Sequence, residues 1–189
     1  EISECLVGSE MCIRDSYKRI GWNARAQEGA VDGWYQTKFT LKEEPLVSIL
    51  IPNKDHTDDL DVCLNSFFER ADYQNYEFII IENNSVLPET FAYYEKIEKE
   101  HDNVKVVYWE AGFNYSAINN FGFKFAKGDY IMLLNNDVEL ITPDIFQSML
   151  GFCMRPEVGI VGAKLLYNDH TVQHAGVLVG AGAVSYTPL

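Results

Sequence analysis

The chain is 189 residues long, 47% hydrophobic and 13% aromatic, enough to bury one sizeable core and too short for two full domains. Lys and Arg number 15 against 28 Asp and Glu, a formal net charge of −13. That excess repels phosphate backbones and anionic headgroups at long range. It argues against nucleic-acid binding and leaves an anionic small molecule bindable only with local help from a cation, a helix N-terminus or placed donors.

In chain order, the stretch Met11-Cys12-Ile13-Arg14-Asp15-Ser16 resembles the translation of a transposase-type sequencing adapter, and residues 184–189 resemble its reverse complement with a slip. Residues 1–16 and 184–189 are therefore expected to be a non-native leader and tail and receive no role. Residues 17–44 read as a lead-in packed on the domain edge, broken by Gly21, Gly29 and Gly33 and anchored by Trp22, Trp34 and Tyr35. Pro45 ends it, since proline disfavours helix before it and lacks a donor.

A regular alternation follows. Residues 46–51 form a continuous β-branched and apolar run, the pattern of a strand covered on both faces, and Pro52 closes it. Thr57 is placed to cap a helix over 58–70 with Leu60, Leu64, Phe67 and Phe68 at helical spacing. Residues 76–81 repeat the buried-strand pattern, and Pro88 opens a helix with Phe91, Tyr94 and Ile97 facing inward. Residues 104–109 predict a third strand, 116–126 a helix stopped by Gly128, and 130–134 a fourth strand in the centre of the sheet. Thr142 and Pro143 open a further helix to about 154, followed by a strand over 158–161. Strands alternating with helices in this way predict an α/β, doubly wound, mostly parallel sheet over 45–183, with ligands beyond the carboxyl ends of the strands.

Four loops occupy those ends: Pro52-Asn53-Lys54-Asp55, Glu82-Asn83-Asn84-Ser85, Glu110-Ala111-Gly112-Phe113-Asn114 and Asn135-Asn136-Asp137-Val138-Glu139. Each alone suits an Asx turn, but gathered at one sheet edge they also suit a hard cation, a nucleobase or sugar hydroxyls. Asp137 fits Mg²⁺ or Mn²⁺, which need only one or two protein oxygens and take the rest from water and phosphates. Bound there, the ion would neutralise a leaving diphosphate. Glu82 is suited to accept from the imide N–H of a pyrimidine base, which favours uracil or thymine over cytosine.

The absences narrow the field. The first strand is followed by no Gly-x-Gly-x-x-Gly, no Walker-type loop and no Ser nucleophile elbow. Cys5, Cys12, Cys63 and Cys153 form no pair or cluster at zinc spacing and are expected to be reduced. Lys54, Asp55 and His56 read as loop surface in place of an acid–base relay. His170 and His174 lie four apart, yet Thr171, Val172 and Val177 make the segment a turn and strand, a poor setting for a metal pair. No apolar run approaches the roughly 20 residues that cross a bilayer, and no basic patch leads into an apolar signal core. A cytoplasmic location follows as the expectation.

The stretches VSILIPN (47–53), IIIENNS (79–85), GFNYSAINN (112–120) and GDYIMLLNNDVE (128–139), in this order, resemble glycosyltransferase family 2 with its GT-A fold, and the likeness runs from about 45 to 181. The resemblance implies that Pro52, Asn53 and Asp55 line the nucleotide pocket and that Glu82 stands where the family usually has an Asp beside the base, with Asn84 in the same donor-binding loop. Asn114 and Asn119 would lie near the ribose and diphosphate. Asn135, Asn136 and Asp137 would form the Asp-x-Asp-type motif, Asn135 replacing the first acid and Asp137 left as the firmer ligand for Mg²⁺ or Mn²⁺. His174, within Gln173-His174-Ala175-Gly176, resembles the segment that approaches sugar and acceptor in rhamnosyltransferase-like members.

The implied activity is inverting transfer from a UDP- or dTDP-sugar to a glycan or lipid-linked acceptor of the cell surface. The parent protein would work in the cytoplasm, with peripheral association at the inner face of the membrane. The family's catalytic base is expected downstream of this chain, so the chain alone is expected to bind donor weakly and to turn over little. Competing readings are a non-catalytic nucleotide- or carbohydrate-binding module and a sugar nucleotidyltransferase. The latter would need a Gly-rich, Arg-containing loop where Pro52-Asn53-Lys54-Asp55 stands.

Overall fold

The computed structural model describes residues 2–29 and 31–176. They fall into two compact units, one made of residues up to Leu41 and from Phe146 onward, the other of Lys42–Ile145. The boundary at Lys42 lies close to the proline expected to end the lead-in. Residues 184–189 lie outside the described residues.

In the first unit, helix α1 (Ile2–Arg19) runs unbroken across the boundary expected after Ser16. Tyr17 is buried and its hydroxyl bonds Thr37 Oγ1 at 2.7 Å. The lead-in contains a hairpin: β1 (Ala24–Glu28) pairs antiparallel with β2 (Tyr35–Phe39). Trp22 is an anchor as expected, stacked on Tyr17 and tilted against Phe39, with Arg155 above its ring. Trp34, by contrast, is 72% exposed. It sits at the turn end, where Gly29 N donates to its carbonyl, and anchors nothing.

The second unit carries β3 (Val47–Asn53), α2 (Thr57–Arg70), β4 (Tyr76–Glu82), α3 (Pro88–Glu100), β5 (Val104–Tyr108), α4 (Tyr115–Phe123) and β6 (Tyr130–Leu133). All its ladders are parallel and the strand order is β5-β4-β3-β6. Leu50, Ile79, Ile81, Val107 and Ile118 form a dry cluster between this sheet and α4. A Cβ on Gly122 would fall 2.3 Å from Ile81 Cδ1, so a larger residue there would displace the buried Ile81 side chain between α4 and β4. On the alternate side of the pleat Phe78 meets Phe67 and Phe68 of α2 edge to face. Helices on both faces explain why β3 and β4 are near-continuous apolar runs.

Several expectations change. β3 continues through Pro52 to Asn53, because Pro52 needs no donor here and Asn53 still pairs with Glu82. Thr57 begins α2 but does not cap it; His56 precedes it in a left-handed conformation with no side-chain cap. Phe91 is exposed while Tyr94 and Ile97 are buried. Gly128 does not end α4, which stops at Phe123; a Cβ there would meet Leu46 O at 2.5 Å and Ser48 N at 2.7 Å, so its role is close approach to β3. Among the described residues β6 is the edge of the sheet and not its centre, paired with β3 alone, and Leu133 is 52% exposed.

α5 (Ile145–Cys153) follows, and residues 158–161 run without a ladder, Ile160 being 91% exposed. Among the described residues this run has no neighbouring strand to satisfy its backbone. β7 (Leu165–Leu166) and β8 (Val172–His174) then close a small antiparallel ladder around a turn at His170, the turn and strand that Thr171 and Val172 predict.

Candidate functional site

The order β5-β4-β3-β6 reverses direction between β3 and β6: β4 and β5 are added to one side of β3, and β6 to the other. Crevices in open α/β sheets form beyond the carboxyl ends at such a switch point. Asn53 ends β3 there, and Asn136 follows β6. Their side chains meet, Asn136 Nδ2 donating to Asn53 Oδ1 at 2.7 Å.

Asn53 is buried and makes two further bonds through Nδ2, to Asp55 O at 2.7 Å and Tyr94 Oη at 2.8 Å. Tyr94, from the inward face of α3, donates in turn to Glu82 Oε2 at 2.9 Å. Burial is the main reason its phenol is pushed well above the ordinary tyrosine range, so the hydroxyl keeps its proton. Glu82 is 3% exposed, and its carboxylate also accepts from Ser85 N and Ser85 Oγ. Three donors satisfy a buried acid that would otherwise be costly.

Asp55 has another task. Its Oδ1 accepts from Val86 N and Leu87 N, each at 3.0 Å, and from Thr90 Oγ1 at 3.2 Å. It thus serves the N-terminus of α3, whose own N-cap residue Leu87 has no side-chain acceptor. The backbone bond from Leu87 is the largest cause holding its pKa below 3.8. Asp55 and His56 both have positive φ, 53° and 46°. Ser85 Oγ, bonded to Asp55 N at 2.7 Å, helps hold that turn.

Asn84, also left-handed at φ 60°, donates to Ala111 O at 2.9 Å and ties the loop after β4 to the loop after β5. Asn114 caps α4 through Ala117 N at 3.0 Å. Asn119 is 6% exposed and bonds Tyr115 O through Nδ2, while its Oδ1 is buried without a hydrogen-bond partner. Pro52 is half-buried in β3. Asn135 is exposed, and its carbonyl faces the buried thiol of Cys63 at 3.8 Å. Burial raises that thiol to about 12.

Asp137 is exposed, and among the described residues no hydrogen bond or ion pair occupies its carboxylate. No group of three or more His, Cys, Asp or Glu that could hold a metal occurs among the described residues. The donor set still suits a hard cation, which needs one carboxylate and takes its other oxygens from amides, water and phosphate.

His174 belongs to the first unit. It pairs with Leu165 and lines a pocket of about 370 Å³ with Ile160, Gly162 and Lys164. Asn53, Glu82 and Asn136 are thus joined in one network and Asp55 is tied to it through Ser85, whereas Asn114 and Asn119 sit separately on α4. Tyr94, Ser85 and Thr90 are the participants that sequence reading missed. A tyrosine at an inward helical position is the one available signal, because a buried hydroxyl needs a partner.

These features define an α/β domain of GT-A architecture. A solved mannosyltransferase, PcManGT from Pyrobaculum calidifontis in complex with GDP-Man and Mn²⁺, has the same fold at a TM-score of 0.57 and 14% identity, over 83% of this chain and 43% of that one. The family model "Glycosyl transferase family 2" matches residues 48–177, and the chain belongs to that family. It is 41% identical over 146 residues to the O-antigen biosynthesis protein RfbC of Myxococcus xanthus, and 40% identical over 157 residues to the uncharacterised protein y4gI of Sinorhizobium fredii. Those alignments cover 77% and 83% of this chain but only 11% and 17% of the two relatives.

Proposed function

We propose that this chain is the donor-binding part of an inverting glycosyltransferase that moves a sugar from a UDP- or dTDP-linked donor to a cell-surface polysaccharide or glycolipid. The observation that carries this reading is the contact of Asn53 with Asn136 across the switch point, next to the exposed Asp137. The RfbC relative, named for O-antigen biosynthesis, supports a polysaccharide acceptor.

Asp137 would hold Mg²⁺ or Mn²⁺ together with the donor diphosphate, in keeping with the Mn²⁺ and GDP-Man of the structurally similar mannosyltransferase. Such an ion supplies Lewis-acid neutralisation of charge on the departing diphosphate. The chain's own residues bind and orient. Glu82 Oε1 takes one bond from Ser85 and keeps acceptor capacity suited to a pyrimidine imide N–H. Asn84, Asn114 and Asn135 offer amides to ribose and phosphate oxygens, and His174 is assigned to the sugar or acceptor side.

The described residues are assigned to donor binding, and none of them is assigned as the base that deprotonates the acceptor hydroxyl. No helix among the described residues is long and apolar enough to cross a membrane; the inner membrane face is the proposed place of work. Calorimetric titration with UDP and dTDP, with and without Mn²⁺, tests the reading. Binding that requires Mn²⁺ is expected, and heats unchanged by a chelator would overturn it.

A further inference from the structure

We propose that Tyr94 is a positioning residue: together with the Asp55 carbonyl it orients the Asn53 amide in a hydrogen-bond relay from Glu82 to Asn136, so that Asn136 offers its carbonyl oxygen, and not its NH2, beside Asp137. Its functional consequence rests on the donor-site reading above; the relay itself does not.

The direction follows from donor counting. A carboxylate only accepts, and a phenol has one proton. Tyr94 spends that proton on Glu82 Oε2 at 2.9 Å, leaving its oxygen to accept. The amide group facing it at 2.8 Å must then be Nδ2 of Asn53, which also reaches the carbonyl of Asp55. Oδ1 of Asn53 is left to face Asn136, whose Nδ2 donates to it at 2.7 Å. Asn136 therefore has its nitrogen committed and its oxygen spare.

An oxygen is what a hard divalent cation takes, whereas an NH2 in the same place repels it. The half-buried Asn136 thereby becomes a second candidate oxygen ligand next to the exposed Asp137. Groups that orient a ligand in this way govern metal affinity without touching the metal.

Two readouts test this on the 189-residue chain. The first is the side-chain NH2 resonances of Asn53 and Asn136 in the ligand-free protein; the second is the affinity for UDP with and without Mn²⁺. Tyr94→Phe is expected to shift both amide groups and to weaken the Mn²⁺-dependent affinity for UDP about tenfold. Tyr93→Phe is the matched control. It removes a neighbouring phenol on the same helix that bonds Asp61 outside the relay, and should move neither readout.

Should Tyr94→Phe fail to fold, Glu82→Gln probes the same relay from its other end, since a terminal amide no longer dictates which way Tyr94 donates. Asn136 resonances that stay at their wild-type positions in these variants would overturn the relay. Wild-type protein that binds no UDP with Mn²⁺ would instead overturn the donor-site reading, while the amide resonances still decide the relay.

Discussion

The tips of β4 and β6 are both polar loops at the carboxyl edge of one sheet, yet they are finished in opposite ways. At the β4 tip the acid is buried and held by the chain itself: Glu82 accepts three bonds from Ser85 and Tyr94, with acceptor capacity left on Oε1 alone. At the β6 tip the acid is exposed, with no partner for Asp137 among the described residues. A carboxylate whose partners are all within the chain contributes to folding, whereas one left in solvent is available to a ligand. All four loops carry acid, and only the partner groups distinguish these roles.

The contrast can be broken by mutation. Glu82→Ala should cost about 3 kcal/mol of stability, because it strands buried donors of Ser85 and Tyr94; denaturant unfolding measures it, and a loss under about 1 kcal/mol would mean the bonds are dispensable. Asp137→Ala should leave stability within roughly 0.5 kcal/mol and lower Mn²⁺-dependent UDP affinity about 30-fold, roughly 2 kcal/mol. Equal affinity for both proteins in calorimetry would make the β6 tip a surface turn.

Asp55→Asn sharpens the comparison through pH. Its native pKa lies below 3.8, so the carboxylate adds stability that is fully present above 3.8 and is lost as pH falls through the lowered native value. The variant should be less stable at neutral pH and should show a flatter acid limb in thermal unfolding. An unchanged acid limb would remove Asp55 from the α3 terminus.

The alternation of helices with strands was legible because buried parallel strands must be apolar on both faces, which 46–51 and 76–81 state in their composition. The loops after β3, β4 and β6 followed from that architecture. Pairing was less legible. Ala24–Glu28 alternates only small alanines with polar residues, too weak a pattern to mark a strand, while 158–161 has the composition of a strand and no neighbouring strand among the described residues. Gly128 looked like a helix stop, since a sequence displays a glycine without displaying the backbone that presses on it. Tyr94 was read as apolar packing; its hydroxyl matters only because α3 crosses the ends of β3 and β4. Position beside a carboxylate 12 residues away is a tertiary fact.

The most direct measurement is paramagnetic broadening of backbone amide resonances by Mn²⁺ in the presence of UDP. Broadening should be strongest at Asn135, Asn136 and Asp137, extend to Asn53 across the switch point, and vanish in Asp137→Ala. Broadening centred instead on the acidic face of α3, at Glu95, Glu98 and Glu100, and indifferent to UDP, would contradict the account.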